Sequence, residues 1–325
     1  MPKRSTGSTA RSPMIEPVAL AALAFDVAIG WPASLYARIG HPVGLFARII
    51  DAAERRWNRA SSGDTTRRLR GVATVLVLIV VAGGGALLVE RGVRWICGDW
   101  AWPVLALLAF PALAQRSLYD HVAPVAAALA AGDLGAARTA VGSIVGRDTD
   151  ALDEAGVARA AIESLAESFC DGVAAPLFWL LVLGLPGVWA YKAINTADSL
   201  IGHRERRYAD FGWAAARFDD GLNLIPARIA GVLLCVAGNG GFRTMWRDAR
   251  QHASPNAGWP EAAMAGALGL RLAGPIAYDG VVSDKPWIGA GRADATPADI
   301  AAALDIYRQA CVLLWLIAGG VAWLL

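Results

Sequence analysis

The stretch GVATVLVLIVVAGGGALLV, from Gly71 to Val89, carries no charged residue. At about 1.5 Å of rise per residue, a helix of this length covers most of the roughly 30 Å hydrocarbon core of a bilayer. In lipid such a segment must satisfy its own backbone hydrogen bonds, so it is read as a helix. Residues 95–114 follow with Asp99 as their one charge, and GVAAPLFWLLVLGLPGVWAY (172–191) is long enough to span but is broken by Gly184, Pro186 and Gly187. A weaker apolar segment covers 224–241. The last begins at Thr296-Pro297-Ala298-Asp299, which offers an N-cap, a proline in the first turn and an acid behind it, and runs to Leu325. Across the chain 18% of residues are charged, against about a quarter in soluble domains. The expected fold is an all-α integral membrane protein, with several transmembrane or re-entrant helices and polar helical cytoplasmic loops. Its glycine run, Gly83–Gly85, is expected to permit close helix packing.

Charge orients this scheme. The lysines are Lys3, Lys192 and Lys285, and arginine supplies the remaining cations. Arginines crowd 38–70 and again 204–228, so both stretches are expected on the cytoplasmic side. Three apolar segments lie between them, an odd number, which would separate the two stretches if every segment crossed. The broken segment 172–191 is therefore expected to be re-entrant or interfacial rather than a full span, with irregular backbone that lines protein or a cavity. Residues 1–14 read as a disordered basic tail, and 15–325 as a single helical membrane domain. Residues 17–25, with Ala-Leu-Ala before Phe25, have the look of a signal-peptide core, but Asp26 follows at once and the segment is assigned to the membrane domain. A net charge of +2 gives no basis for nucleic-acid binding, and the four cysteines form no CxxC pair and read as packing residues.

Polar residues gather around the broken segment. Glu163, Glu167 and Asp171 recur every fourth residue, one stripe of a helix, with Arg159 a turn earlier. Beyond the break, Asn195, Asp198, Ser199 and Gly202 share a helical face, and Asp219-Asp220 with Asn223 forms a second acidic cluster flanked by Arg217 and Arg228. Carboxylates and carboxamides are the hard oxygen donors that Mg²⁺ takes together with substrate phosphates, and arginines grip phosphate oxygens. A third cluster, His252, Ser254 and Asn256, precedes a helix expected to begin near Pro260, a natural place for an anion. No P-loop, HExxH, GxSxG or zinc-type cysteine pattern is present.

Several blocks carry a family resemblance in order: HPVGLFARIID (41–51), RSLYDHV (116–122), GRDT (146–149), ESLAESFCDGVAAPLF (163–178), NTADSLIG (195–202), FDDGLNLIPAR (218–228) and HASPNAGWPEAAMAGALG (252–269). Together they resemble the signature blocks of the CobD/CbiB family, the adenosylcobinamide-phosphate synthases of cobalamin biosynthesis, over about Asp26 to Arg292. The chain departs from the family at Ser168, where an asparagine usually follows the glutamate, and at His203, where an aromatic is common.

The resemblance implies an ATP-dependent amide-forming ligase. It would attach aminopropanol, or its O-phosphate, to a propionate carboxyl of the corrinoid substrate adenosylcobyric acid. ATP and Mg²⁺ would be co-substrate and activator, with no tightly bound prosthetic group. Under this reading Glu167, Asp171, Asp198, Asp219 and Asp220 are candidate metal ligands. Arg147, Asp148, Lys192, Asn195, Thr196, Arg217, Asn223, Arg228, Ser254 and Asn256 are candidates for substrate and phosphate binding. His41, Glu163 and His252 are catalytic candidates. The protein would sit in the cell (inner) membrane as a multi-pass protein with a cytoplasmic active site, with other cobalamin-pathway enzymes as possible partners. The alternative is a Mg-dependent membrane transferase acting on a prenyl or lipid diphosphate, which predicts a lipid-facing tunnel and no ATP requirement. A transporter would show two similar halves, and none are evident.

Overall fold

The structure, a computed structural model, describes residues 16–146, 148–203, 205–274, 276–278, 281–283 and 286–324; the tail 1–14 and Arg147 lie outside the described residues. Helix α1 (Glu16–Ile29) buries Val18, Ala19, Ala22 and Leu23, so the segment resembling a signal core is packed into the molecule. Short α2 (Ala33–Ile39) and amphipathic α3 (Val43–Trp57) lead to α4 (Asp64–Ile79). A π turn, Val80–Gly84, carries α4 directly into α5 (Gly85–Cys97), so helix runs on through the polar residues 90–94 that separate two apolar segments in the sequence. Glu90 and Arg94 pair there at 2.9 Å, which lets two charges stay within one apolar helix. Gly98 (φ 54) ends it, and a 3₁₀ turn, α6 (Ala101–Ala109) and a second 3₁₀ turn make segment 95–114 three short pieces rather than one span.

Local capping sets the next starts. Asp26 of α1 accepts the Gln115 N–H (2.6 Å) at the head of α7 (Gln115–Ala130). Asp133 and Asp153 accept N–H groups of Ala136 (2.9 Å) and Gly156 (2.7 Å), capping α8 (Leu134–Gly142) and α9 (Glu154–Phe169).

The segment 172–191 breaks where the sequence places the break. Helix α9 passes through a π turn, Cys170–Ala174, into α10 (Ala175–Ile201), and Gly184 in α10 has φ 67 and ψ −153, far from helical. The chain reverses there. The Asn195 amide lies 3.4 Å from the Asp171 carboxylate although the two are 24 residues apart, a separation of about 36 Å along a straight helix. The arms 175–183 and 185–201 thus form a helical hairpin. The Leu185 N–H freed at the turn donates to Glu90 (3.1 Å), and Pro186 occupies the returning arm's first turn, where its missing N–H costs little. Gly83 fits against this arm: a Cβ there would meet that of Ala190 at 3.3 Å and the Pro186 carbonyl at 3.5 Å, whereas Gly84 and Gly85 face open space, so the close packing expected of the run falls on its first glycine alone.

Helix α11 (Trp213–Ala237) begins before the apolar segment read at 224–241, so its first turns carry the Asp219-Asp220 cluster. Helices α12 (Phe242–Asp248) and α13 (Gly258–Leu268) follow. The all-α expectation omits two small antiparallel pairings: β1 (Leu272–Ala273) with β4 (Trp287–Ile288), and β2 (Ile276–Tyr278) with β3 (Val281–Ser283). Helix α14 (Pro297–Leu324) starts where expected; Asp299 accepts from both the backbone N–H and the hydroxyl of Thr296, each at 2.7 Å.

Among the described residues, four helical stretches are long and apolar enough to cross a membrane, Asp64–Ala130, Glu154–Ile201, Trp213–Ala237 and Pro297–Trp323. Leu76, Val80, Leu88, Val182, Val232 and Leu316 are exposed along them, as lipid-facing positions require. Two apolar clusters form the interior. One gathers α1, α6, α7, α9, the hairpin, α11, α13 and α14; a smaller one joins α3, α4 and the returning arm of α10, with Trp189 packed against both. The two arginine-rich stretches meet: Arg207 pairs with Glu54 (2.7 Å), Asn58 donates to the Arg207 carbonyl (3.0 Å), and Arg67 pairs with Asp210 (3.0 Å).

Candidate functional site

The base of the hairpin opens into a cleft with two lobes. The smaller, about 660 Å³, is walled by Ser117 and His121 of α7, Ser164 and Glu167 of α9, Asp171, and the face of α10 that holds Lys192, Asn195, Asp198 and Ser199. The larger, about 920 Å³, is walled by Asp219, Asp220 and Asn223 of α11, Glu205, and the loop from His252 to Ala257. Glu167, Asp171, Asp198, Gly202 and His203 border both lobes, forming an acidic ridge between them. The helical face read from Asn195, Asp198, Ser199 and Gly202 lies along the smaller lobe.

A buried hydrogen-bond network fixes this ridge. The Asn195 amide donates to Asp171 (3.4 Å) and Asp219 (3.2 Å), Asn223 donates to the other oxygen of Asp219 (3.0 Å), and Tyr191 donates to the Asn223 carbonyl oxygen (3.0 Å). Asp219 is thus a buried carboxylate with both oxygens engaged by amides. Asp198 is half-buried and its carboxylate makes no hydrogen bond or ion pair among the described residues. The Lys192 ammonium on the same wall stands within the charge of Asp171 and Asp219, and a bare carboxylate beside it suits a ligand that brings its own charges.

Other sequence candidates hold the cleft's frame. Arg228 donates to Asn256 (3.0 Å) and the Leu224 carbonyl (2.7 Å) and lies over the Trp259 ring, while Asn256 donates to the Asp220 carbonyl (2.8 Å). Both ends of the Asn256 carboxamide are therefore spent tying the 252–257 loop to α11. The Ser254 hydroxyl accepts from the Asn256 and Ala257 N–H groups, at 3.2 and 3.3 Å, just ahead of α13, which begins at Gly258. His252 accepts the Ser254 N–H at Nδ1 (3.0 Å) and faces buried Glu261 through Nε2 (3.6 Å).

Several candidates lie elsewhere. Glu163 accepts the Ala273 N–H (2.8 Å) and, with Arg159 against the Ala293 carbonyl, anchors the segment around β1 and β4 rather than lining either lobe. Arg217 is exposed and pairs with Asp220 at 3.6 Å. The Thr196 hydroxyl donates to the Lys192 carbonyl (2.6 Å), and Asp148 accepts from Asp150 N–H (2.9 Å) in an exposed turn. His41 packs edge-on against Trp31 beside a separate apolar cavity, and burial, followed by the charge of Lys192, holds its pKa below the ordinary 6.5. Ser117, His121, Tyr191 and Glu205 escaped the sequence reading. Ser117 and His121 stand four apart within RSLYDHV, a spacing that shares a helix face and could have marked them.

The ridge offers mainly carboxylate oxygens, the hard donors Mg²⁺ selects, with the His203 imidazole bordering them. Among the described residues no three His, Cys, Asp or Glu side chains converge as a ready-made metal cage. Mg²⁺ commonly takes only one or two carboxylates, with water and phosphate completing its shell, rather than an all-protein cage.

Fold and site define a helical membrane protein whose polar cleft is built at the base of a helical hairpin. The model of the CobD/Cbib protein family matches residues 19–307, and the chain belongs to that family. It is 52% identical over 305 residues to a Rhodobacter capsulatus protein called cobalamin biosynthesis protein CobD, covering 93% of this chain and 95% of that one. Proteins of the same name from a Sinorhizobium species (46% over 304 residues; 90% and 94% covered) and Brucella suis biovar 1 (48% over 296 residues; 88% and 90%) are similar along their length. No solved structure matches the chain.

Proposed function

We propose that this protein is an ATP-dependent amide-forming ligase of cobalamin biosynthesis, joining a propionate carboxyl of adenosylcobyric acid to aminopropanol or its O-phosphate. The observation that carries the reading is the acidic ridge shared by two lobes of unlike character. On one side stands the Lys192 ammonium with amide and hydroxyl donors, suited to an anionic carboxyl or phosphate. On the other stand Glu205, Asp219 and Asp220, suited to a cation. A ligase must bring such partners together and hold nucleotide phosphates nearby.

Asp171 and Asp198, with Glu167 and Asp220 around them, would hold Mg²⁺, which would screen the nucleotide's phosphate charge. Lys192 orients the carboxyl group. Asn195 and Asn223 fix Asp219, and Arg228 with Asn256 holds the loop wall in place. The hairpin closes the floor, so a reactive acyl species formed above it would be shielded from water. ATP places the cleft at the cytoplasmic face of the cell membrane, with the bilayer around the apolar belt and other cobalamin-pathway enzymes within reach of the exposed cleft.

The alternative, transfer from a prenyl or lipid diphosphate, requires an apolar tunnel that reaches the acids. Among the described residues, the apolar cavities beside Trp31, Tyr307 and Trp57 share no lining residue with either lobe, which weighs against it. The test is an assay of purified protein with adenosylcobyric acid, Mg²⁺, ATP and each form of the amine. An amide product with stoichiometric ADP is expected with one or both amines; product without ATP, or none with either amine, would overturn the proposal.

A further inference from the structure

We infer that His121 is the proton acceptor for the amine in this reaction, an inference that rests on the ligase reading. The ground is an accounting of imidazole nitrogens. A base needs an unoccupied lone pair facing the substrate, and a histidine's tautomer is set by what its other nitrogen bonds. His252 and His41 each accept a backbone N–H at Nδ1, from Ser254 (3.0 Å) and Val43 (3.2 Å). Their lone pairs are spent, and Nε2 carries the hydrogen. His121 is the reverse. Its Nδ1 lies 2.6 Å from the Ser117 carbonyl oxygen, which can only accept, and 3.4 Å from the Ser117 hydroxyl; the shorter contact puts the hydrogen on Nδ1 and the lone pair on Nε2. The ring is exposed and lines the smaller lobe. His203 borders both lobes, but no hydrogen bond among the described residues fixes its tautomer.

His121 shares this lobe with Glu167, Asp171, Lys192, Asp198 and His203, and Asp120 and Arg116 stand on its own helix. The carboxyl held in this lobe would meet, at the ridge that both lobes share, an amine that arrives as an ammonium ion from the acidic lobe. One ammonium proton passes to Nε2 and on to water, freeing the nitrogen lone pair. The C–N bond then forms as the C–O bond to phosphate breaks, phosphate leaving with the bonding electrons and taking up the second proton released from nitrogen. ATP supplies the phosphate, and nothing is oxidised or reduced.

The experiment measures kcat/KM for the amine against pH in wild type, His121→Gln and His121→Ala, the last with and without added imidazole. Wild type should lose activity tenfold per pH unit along its acid limb, as a single proton acceptor requires. His121→Gln should lose on the order of a hundredfold near neutrality and regain activity as pH rises and the amine deprotonates unaided. Imidazole should restore His121→Ala, which a histidine acting only through packing would not show. A wild type that forms no amide would overturn the ligase reading and this role together. Amide formation in wild type, matched by His121→Gln across the pH range or by a His121→Ala that imidazole leaves inactive, would overturn the role of His121 alone.

Discussion

Asp198 and Asp219 bring the same functional group to the cleft and are held in opposite ways. Both oxygens of Asp219 accept amide hydrogens, from Asn195 (3.2 Å) and Asn223 (3.0 Å), in a buried network. Asp219→Asn would set one amide N–H₂ against another. Leaving such a group unsatisfied is expected to lower stability by about 1–3 kcal/mol, alongside any effect on turnover. Asp198 has no partner among the described residues, so Asp198→Asn should leave stability within about 0.5 kcal/mol. If it contacts the phosphate-bound ion, turnover should fall on the order of a hundredfold. Thermal melts in detergent beside turnover at saturating Mg²⁺ check both; wild-type turnover in Asp198→Asn would return that carboxylate to the solvated surface. The acids themselves were legible in the sequence, because carboxylates crowded against an uncharged run invite a reason. Which acid is braced and which is bare was not, since Asn195 and Asn223 reach Asp219 only once α10 and α11 pack side by side. His121 was hidden for the same reason: Ser117 and His121 face the cleft only because α7 starts beside the hairpin, where the Ala114 N–H meets the Gly172 carbonyl (3.0 Å).

Among the elements, the hairpin shows how far local sequence reaches. Its break was readable from Gly184, Pro186 and Gly187, residues that end or kink a helix wherever they occur. Its cap was not, because the Leu185 N–H is satisfied by Glu90 from a distant helix. Gly184 holds φ 67, and a Cβ there would lie 2.9 Å from the Glu90 carboxylate. Gly184→Ala should therefore combine left-handed strain with loss of that cap and cost about 1–3 kcal/mol, read as an earlier melt in detergent; an unchanged melt would show that the turn tolerates a side chain. The strand segment near β4 depends instead on Asp248, a buried carboxylate that takes hydrogen bonds from Arg247 (2.6 Å) and from the Gly289 N–H (2.9 Å). Arg247, with help from Gly289, holds its pKa below the ordinary 3.8 despite burial. A carboxyl that binds its proton less tightly folded than unfolded stabilises the fold above the unfolded value, and that contribution is lost as pH falls through the folded one. The stability difference between wild type and Asp248→Asn should thus be constant above about pH 5 and shrink below about pH 4. A difference that grows on acidification would contradict the sign.

At the scale of the whole molecule, the membrane class followed from uncharged runs, but the number of crossings did not. Helices run on through polar residues whose charges are paired, as Glu90 and Arg94 are, so hydropathy boundaries and helix boundaries part company. The two basic stretches, which their arginine density assigns to one side, are bound to each other by Glu54, Asn58, Arg67, Arg207 and Asp210. Stretches joined by ion pairs must share one side of a bilayer, whatever lies between them in the sequence. The hairpin makes this geometrically possible, since it enters and leaves at the same end. Of the four cysteines, Cys170, Cys235 and Cys311 are buried and Cys97 is half-buried, leaving little background for surface labelling. Ala60→Cys and Ala209→Cys place single thiols at exposed positions in the two stretches without disturbing an arginine. In intact cells a membrane-impermeant maleimide should modify neither, and in inverted vesicles it should modify both. Labelling of the two from opposite sides would contradict the contacts that join them. Labelling of both from outside would preserve the fold but place the cleft away from cytoplasmic ATP, and the proposed ligase with it.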